Sequence, residues 1–328
     1  MADIHHLIRS HGRETARRMI DEEQIPFFSN AATMLAEEND TIGITYSGFC
    51  LTSLPHRRLP DNQPWVRSNG GMSLLIEPGR APTTSIPRSA ADYRTIGVPY
   101  GAKARLILLY LQTEAIRNNS PIVQLGRSMN AWLGNMGVAV GGKTYKEVRN
   151  QAERINRCKL TFDYTRDTTG GTAVGFRNDS IVRDGIRLKL DDQQGDLWDD
   201  KVRLSDTFFN LLKEHPVPVS EVAIRLISSK SMALDVYIWL AYRLHVLQKE
   251  TRVSWASIYE QFGPVGTTGS PTAQRARFRA FKQEFRLAIE YALSVYEDAQ
   301  VKETQEGFLL KPSKPPIPAG MIGQRALL

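Results

Sequence analysis

Cysteine is scarce in this chain: Cys50 and Cys158 are the only two among 328 residues. Neither belongs to a C-x-x-C pair, and two thiols do not complete a zinc site unaided. Both are expected as reduced thiols in or near a core, in a cytoplasmic protein. Long apolar runs are missing as well. The longest uncharged one in the second half, Val236–Tyr242, is flanked by Asp235 and Arg243, far short of the ~20 residues that span a bilayer. Met1–Arg18 is polar and rich in His and Arg, so no secretory signal is expected there. Acids are in the minority, 35 Asp and Glu against 42 Lys and Arg, giving a net charge of +7 and a pI near 9.4. That excess does not establish a nucleic-acid partner by itself; the placement of the cations decides more.

Clustered catalytic groups are also lacking. His5 and His6 are adjacent, without the apolar-His-apolar-His spacing by which nickases hold a metal. His11 lies in the same polar segment, His56 sits beside Arg57 and Arg58, His215 precedes Pro216, and His245 falls on an apolar helix. Core or surface roles are expected for all six. Asp191, Asp192, Asp196, Asp199 and Asp200 do not have the spacing of a calcium loop and read as a solvated linker. No Ser-His-Asp or Cys-His arrangement emerges, and no metal, cofactor or catalytic residue is expected.

What the chain does have is a one-sided basic helix. Ser270 and Pro271 form a helix start. Arg275, Arg279, Lys282 and Arg286 follow at steps of 4, 3 and 4, which places them on one face. Phe278, Phe281, Phe285, Ala288 and Tyr291/Ala292 form an apolar stripe about 100° away. With Arg277, five cations face a single acid, Glu284, between positions 275 and 286. Exposed helices normally mix signs, and like charges at i, i+4 destabilise; a polyanionic partner reverses that cost. The phenylalanines read as packing, not as stacking platforms. Lys302, Lys311 and Lys314 fall on or near a following hairpin, and the Gly266-Thr267-Thr268-Gly269 turn has backbone and hydroxyl groups suited to phosphate.

The order around this helix occurs twice. In the first half, a nearly all-round apolar helix at 102–117 precedes a short helix at 127–136. A glycine turn at 137–142, a basic helix at 143–157 and alternating strands complete it. In the second half, helices at 232–247 and 254–262, a turn at 263–269, the basic helix at 273–292 and a hairpin around Gln305-Glu306-Gly307 repeat the pattern. This predicts an α+β protein with tandem winged-helix domains, each a helix-turn-helix followed by a β-hairpin wing. The divisions expected are an arm at 1–40, a first domain at 41–198 that includes short strands at 41–78, a second domain at 199–312, and a disordered tail at 313–328. Gly79–Ser89 is expected as an exposed loop.

Gly137–Thr144 satisfies the phosphate-loop pattern G-x-x-x-x-G-K-[ST]. A working loop needs a buried strand leading into it, and the residues before this one look helical. The competing reading is the turn of a helix-turn-helix, with Lys143 opening the next helix; a nucleotide hydrolase is the less favoured alternative. On helix 143–157, Lys143, Lys146 and Arg149 are candidate DNA contacts, but Glu147 and Glu153 dilute them, and a solvated face or dimer contact fits equally.

Several separated stretches then resemble one family. Val98-Pro-Tyr-Gly-Ala-Lys-Ala-Arg-Leu-Ile-Leu-Leu-Tyr-Leu-Gln-Thr-Glu-Ala115, Leu125-Gly-Arg-Ser-Met129, Leu204-Ser-Asp-Thr-Phe-Phe209 and Gly307-Phe-Leu-Leu-Lys-Pro-Ser313 resemble the plasmid-encoded RepA replication initiators. The resemblance covers roughly residues 94–314. It implies a bacterial cytoplasmic protein that binds repeated origin sites (iterons) in double-stranded DNA, opens the adjacent duplex, and helps recruit the host initiator and replicative helicase. It also implies dimerisation through the first domain, a monomer–dimer balance that bears on plasmid copy control, and DNA reading mainly through the second. The alternative is a winged-helix transcriptional repressor. The expected DNA contacts are Arg275, Arg277, Arg279, Lys282, Arg286, Lys302 and Lys311, with Lys143, Lys146 and Arg149 in support. Arg275 and Arg279 are the expected base readers.

Overall fold

Two stretches too apolar to face water on any side organise the chain. The computed structural model describes residues 4–37, 41–69, 71–126, 128–139, 141–168, 171–184, 201–265 and 270–317. In chain order its first elements are α1 (Ile4–His11), α2 (Arg13–Arg18), α3 (Ile25–Ala36), β1 (Ile42–Tyr46), α4 (Ser47–Leu51), β2 (Trp65–Asn69), β3 (Met72–Glu77), β4 (Gly79–Pro82) and β5 (Tyr93–Ile96). Then come α5 (Gly101–Arg117), β6 (Ile122–Gln124), α6 (Met129–Asn135), α7 (Gly142–Arg157), β7 (Lys159–Thr168), β8 (Gly171–Asp179), β9 (Val182–Asp184), β10 (Lys201–Leu204), α8 (Asp206–Glu214) and β11 (Pro216–Ser220). The last are α9 (Glu221–Leu226), α10 (Ser231–Val246), β12 (Thr251–Ser254), α11 (Trp255–Phe262), α12 (Pro271–Ser294), β13 (Val301–Thr304) and β14 (Gly307–Leu310). Helix and sheet are mixed throughout. The chain divides into one unit at Ile44–Val217 and another made of Met1–Gly43 with Pro218–Leu328.

In the unit Ile44–Val217, α5 buries Leu106, Ile107, Leu108, Leu109 and Leu111 together with Gln112 and Thr113. The two polar side chains carry hydrogen bonds that their burial requires. The Ile44 N–H donates to Thr113 Oγ1 at 2.8 Å, and the Tyr46 N–H to Gln112 Oε1 at 2.7 Å. β2, β3, β7 and β8 form an antiparallel sheet in that order. Leu74 pairs with Phe162 and Ile76 with Leu160 across it, and all four are buried. β6, β10 and β9 make a second sheet, and β4 with β5 a separate hairpin.

In the other unit, α10 buries eleven of its residues, from Met232 to Leu244. β12, α11, α12, β13 and β14 follow it, and the three strands pair in the order β12-β14-β13. The amino-terminal helices belong to this unit. Ile4, Ile8, Ala16, Phe27, Phe28, Ala31 and Ala32 form a buried cluster with Tyr291 of α12 packed against it. Asn30 Nδ2 donates to Ser294 Oγ at 3.1 Å, and Arg9 pairs with Glu297.

Three expectations need correction. Residues 1–40 are not an arm: Arg9, Arg13, Arg17 and Arg18 are exposed, while Ile4, Ile8, Phe27 and Phe28 are buried. The division falls at 217/218, not 198/199, because β10 pairs with β6 and β9. The tail does not begin at 313. Ser313 N–H donates to the Leu244 carbonyl, the Tyr296 hydroxyl to the Lys314 carbonyl at 2.6 Å, and Ile317 is buried. The repeated order of helices and hairpin is present in both units, but β6 pairs with β10, whereas its counterpart β12 pairs with β14. The expected acidic linker at 191–200, the turn at 266–269 and the chain end from 318 lie outside the described residues.

Candidate nucleic-acid interface

Helix α12 begins as its sequence dictates: Ser270 Oγ accepts the Ala273 N–H at 3.3 Å, with Pro271 in the first turn. Phe281, Phe285, Ala288, Ile289 and Ala292 are buried, whereas Phe278 and Tyr291 are half-buried. Phe285 is wholly enclosed. Its ring centroid lies 5.4 Å from Phe262, 5.7 Å from Phe308, 5.8 Å from Phe281 and 6.0 Å from Trp255. Tyr259 adds edge contacts to Phe278 and Phe281. Aromatic pairs at these separations are worth about 0.5–1.5 kcal/mol each beyond their buried area, so the helix is fixed to α11 and β14 by one connected cluster of rings.

The cations of α12 fall into two groups. Arg275 and Arg279 are exposed and meet no carboxylate among the described residues. Lys282 is half-buried, its ammonium 4.9 Å from both the Trp255 and Phe278 rings. Arg286 lies 5.2 Å from the Trp255 ring and is hydrogen-bonded to Glu303 at 2.8 Å. The amino-terminal half of the stripe is thus open, while its carboxy-terminal half is partly committed to the hairpin. Arg277 is half-buried, off the line of the other four.

The hairpin β13–β14 turns through Gln305 and Glu306. Gly307 permits that turn: its φ is +155°, and a Cβ there would stand 2.0 Å from the Val253 carbonyl oxygen. Lys302 is exposed on β13. Lys311, just past β14, is half-buried and paired with Glu250 at 2.8 Å. Glu303 and Glu306 are also exposed there, an acidic content that the expectation of a basic wing left out.

On α7, Lys143 and Lys146 are exposed and Arg149 is half-buried. Arg154, also on this helix, is 2% exposed and wholly structural. It donates to Asn150 at 2.9 Å, to the Val98 carbonyl at 3.2 Å and to Asp61 at 2.9 Å. Partial burial pushes the Asp61 carboxyl up, but Arg154, with Arg58 beyond it, prevails and holds it below the ordinary carboxylate range. Residues 137–144 join α6 to α7, with a helix before them instead of a strand; Lys143 sits in the first turn of α7.

The remaining groups read as structure. Cys50 and Cys158 are buried and unbridged, and burial pushes the Cys158 thiol up to about 12. His5 is buried, with Nε2 at 3.1 Å from the Leu293 carbonyl. His56 is held well below its usual value by burial and by the neighbouring Arg105. Among the described residues no three His, Cys, Asp or Glu side chains form a metal cluster, and no helix is long and apolar enough to cross a membrane.

The geometry defines a class: a mixed helix-and-sheet protein that braces a cationic helix on an aromatic core beside a short hairpin. Residues 98–260 match the family described as plasmid-encoded RepA protein, and over this stretch the chain belongs to that family of replication initiators. Among solved structures, a crystal structure of domains 2 and 3 of RctB is 11% identical, covers 83% of this chain and 98% of its own, and has a TM-score of 0.46. A second structure of RctB domains 2–3 is 12% identical, covers 80% and 93%, and has a TM-score of 0.41. No curated protein matches the chain.

Proposed function

We propose that this chain initiates replication of a plasmid by binding repeated sites in origin DNA, opening the adjacent duplex, and recruiting the host initiator and replicative helicase. It acts by binding and deforming DNA, without a catalytic centre or cofactor, in the bacterial cytoplasm. α11 and α12, with β12, β13 and β14 around them, are read as a winged helix: two helices, the second entering the major groove, and a hairpin beside it. The observation that carries this reading is the pair Arg275 and Arg279, exposed and without carboxylate partners among the described residues, on a helix held from behind by Phe281 and Phe285. Each arginine has the planar fork that reads guanine O6 and N7. Lys282, Arg286, Arg277 and Lys302 are read as phosphate contacts, and Lys311 as a support that holds the hairpin end to Glu250. The Ile44–Val217 unit is read as a second winged helix, in which β10 takes the place beside β6; it adds backbone contacts through Lys143, Lys146 and Arg149 and dimerises the chain.

The test is footprinting of the full chain on the origin region of its replicon, followed by permanganate probing of the same complex. Protection of direct repeats spaced by whole helical turns, with unpaired thymines appearing next to them, is the expected result. Protection of a promoter without strand opening would leave a repressor instead.

A further inference from the structure

Outside the two basic helices, one element combines rigidity, exposure and an excess of positive charge: the hairpin Gly79–Ile96. Its register runs Gly79 to Ile96, Arg80 to Thr95, Ala81 to Arg94 and Pro82 to Tyr93. Ala81 and Ile96 are buried at its base. The base is fastened to the carboxy-terminal end of α7. A Cβ on Gly79 would stand 2.0 Å from the Arg157 carbonyl oxygen, so only glycine lets the strand approach this closely. Arg157 Nη1 donates to the Arg80 carbonyl at 3.1 Å, and Arg94 reaches Glu153 at 3.5 Å.

The tip is built, not slack. Thr83 donates through both its N–H and its hydroxyl to the Asp92 carbonyl, at 2.7 and 2.8 Å. Asp92 Oδ2 accepts the N–H groups of Arg88 and Ser89 at 2.7 and 2.9 Å, and Pro82 and Pro87 restrict the backbone further. This order presents Ile86, 74% exposed, next to Pro87 and the exposed Arg88. Asp92 is the only acid between Gly79 and Ile96, and those two N–H groups already occupy it. Arg80 and Arg88 have no carboxylate partner among the described residues.

We infer that the tip of this hairpin is a minor-groove wedge, with Ile86 pressing against a base step and Arg88 following it into the groove. The inference rests on the reading of the chain as a DNA-binding initiator. An apolar side chain that unstacks a step, accompanied by arginine, is a recurring way to kink a duplex from its minor groove. The placement fits. Lys146 and Arg157, where the hairpin's base is fastened, are eleven residues apart on α7, ~16 Å along a helix axis; that is about half of a ~34 Å duplex turn, the scale on which a minor groove follows a major one. A wedge there gives the protein a means of bending origin DNA that base reading by α12 does not supply.

The experiment uses the full chain and a duplex that the wild-type chain has itself selected from a random pool. Ile86→Ser and Arg88→Ala are compared with wild type in thermal unfolding, sedimentation, affinity across a salt series, and duplex bend measured by energy transfer between the duplex ends. Both side chains are exposed, so the variants are expected to melt like wild type. Ile86→Ser is expected to straighten the bound duplex and to weaken binding about tenfold. Arg88→Ala is expected to lower the salt slope by about one. Netropsin, a minor-groove ligand, is expected to compete with wild type and to lose that effect on Ile86→Ser. Unchanged bend, slope and competition in both variants would overturn the wedge while leaving the initiator reading intact. A change confined to sedimentation would overturn it in favour of contact with a second copy. A wild-type chain that selects no duplex removes the initiator reading and the wedge together.

Discussion

α7 and α12 carry similar numbers of cations and use them in opposite ways. On α12 the arginines that are open, Arg275 and Arg279, precede the aromatic cluster that anchors the helix. On α7 the charge is divided along its length. Lys143 and Lys146 are exposed at one end, while Arg154 is enclosed and Arg157 clasps β4 at the other. Glu153 turns to Arg94. What decides whether a cation is available to a partner is what stands behind the helix. Rings fill that role for α12, which leaves Arg275 and Arg279 outside. Behind α7 stand Val148, Ala152 and Ile155, and at its carboxy-terminal half the Val98 carbonyl, the Tyr100 ring and Asp61 consume an arginine.

The comparison is broken most severely by removing the ring cluster. Phe285→Ala leaves a cavity amid Trp255, Phe262, Phe281 and Phe308 and is expected to lower stability by about 3–5 kcal/mol, read from urea unfolding. A loss below about 1 kcal/mol would show that the rings are not what holds α12. Arg154→Ala comes next. It strips the Val98 carbonyl of a buried donor and leaves Asp61 without its nearer cation, at an expected cost of about 2–3 kcal/mol. In the same urea experiment its DNA affinity, measured where the protein is folded, is expected to stay at wild-type level. A selective loss of DNA affinity would return Arg154 to the contact surface.

Arg279→Ala sharpens the functional half of the contrast. Arg279 is exposed, so stability is expected to change little. Affinity for the repeated site is expected to fall by about 1–3 kcal/mol, with a much smaller change on random duplex. Titrations of both duplexes at one salt concentration check it. An equal loss on the two would make Arg279 a phosphate contact.

Much of this was legible in the residues. α5, α7, α10, α11 and α12 lie within a residue or two of their expected bounds, because their apolar spacing and caps are local signals. The open Arg275 and Arg279 and the buried Phe281 and Phe285 followed from the same helical spacing. Other features depended on partners distant in sequence. α3 went unread because its apolar residues find their partners in Ile4, Ile8 and Tyr291. Lys282 over Trp255, Arg286 with Glu303 and Lys311 with Glu250 are contacts that no spacing along one helix announces. The hairpin Gly79–Ile96 read as a loop because its strands are four residues each, too short for alternation to register.

The smallest effect tests the other side of the contrast. Lys146 is exposed on α7, a helix that also carries Glu147 and Glu153. If it meets a phosphate, Lys146→Ala removes one released counterion. The slope of log K against log salt then falls by about 0.9, with affinity lowered similarly on specific and random duplex. Because that term is independent of sequence, it separates α7 from α12 even where the two helices cost similar affinity: Arg279→Ala changes the ratio between duplexes, and Lys146→Ala changes the slope. A Lys146 variant with an unchanged slope would confine DNA contact in the Ile44–Val217 unit to elements other than the amino-terminal half of α7.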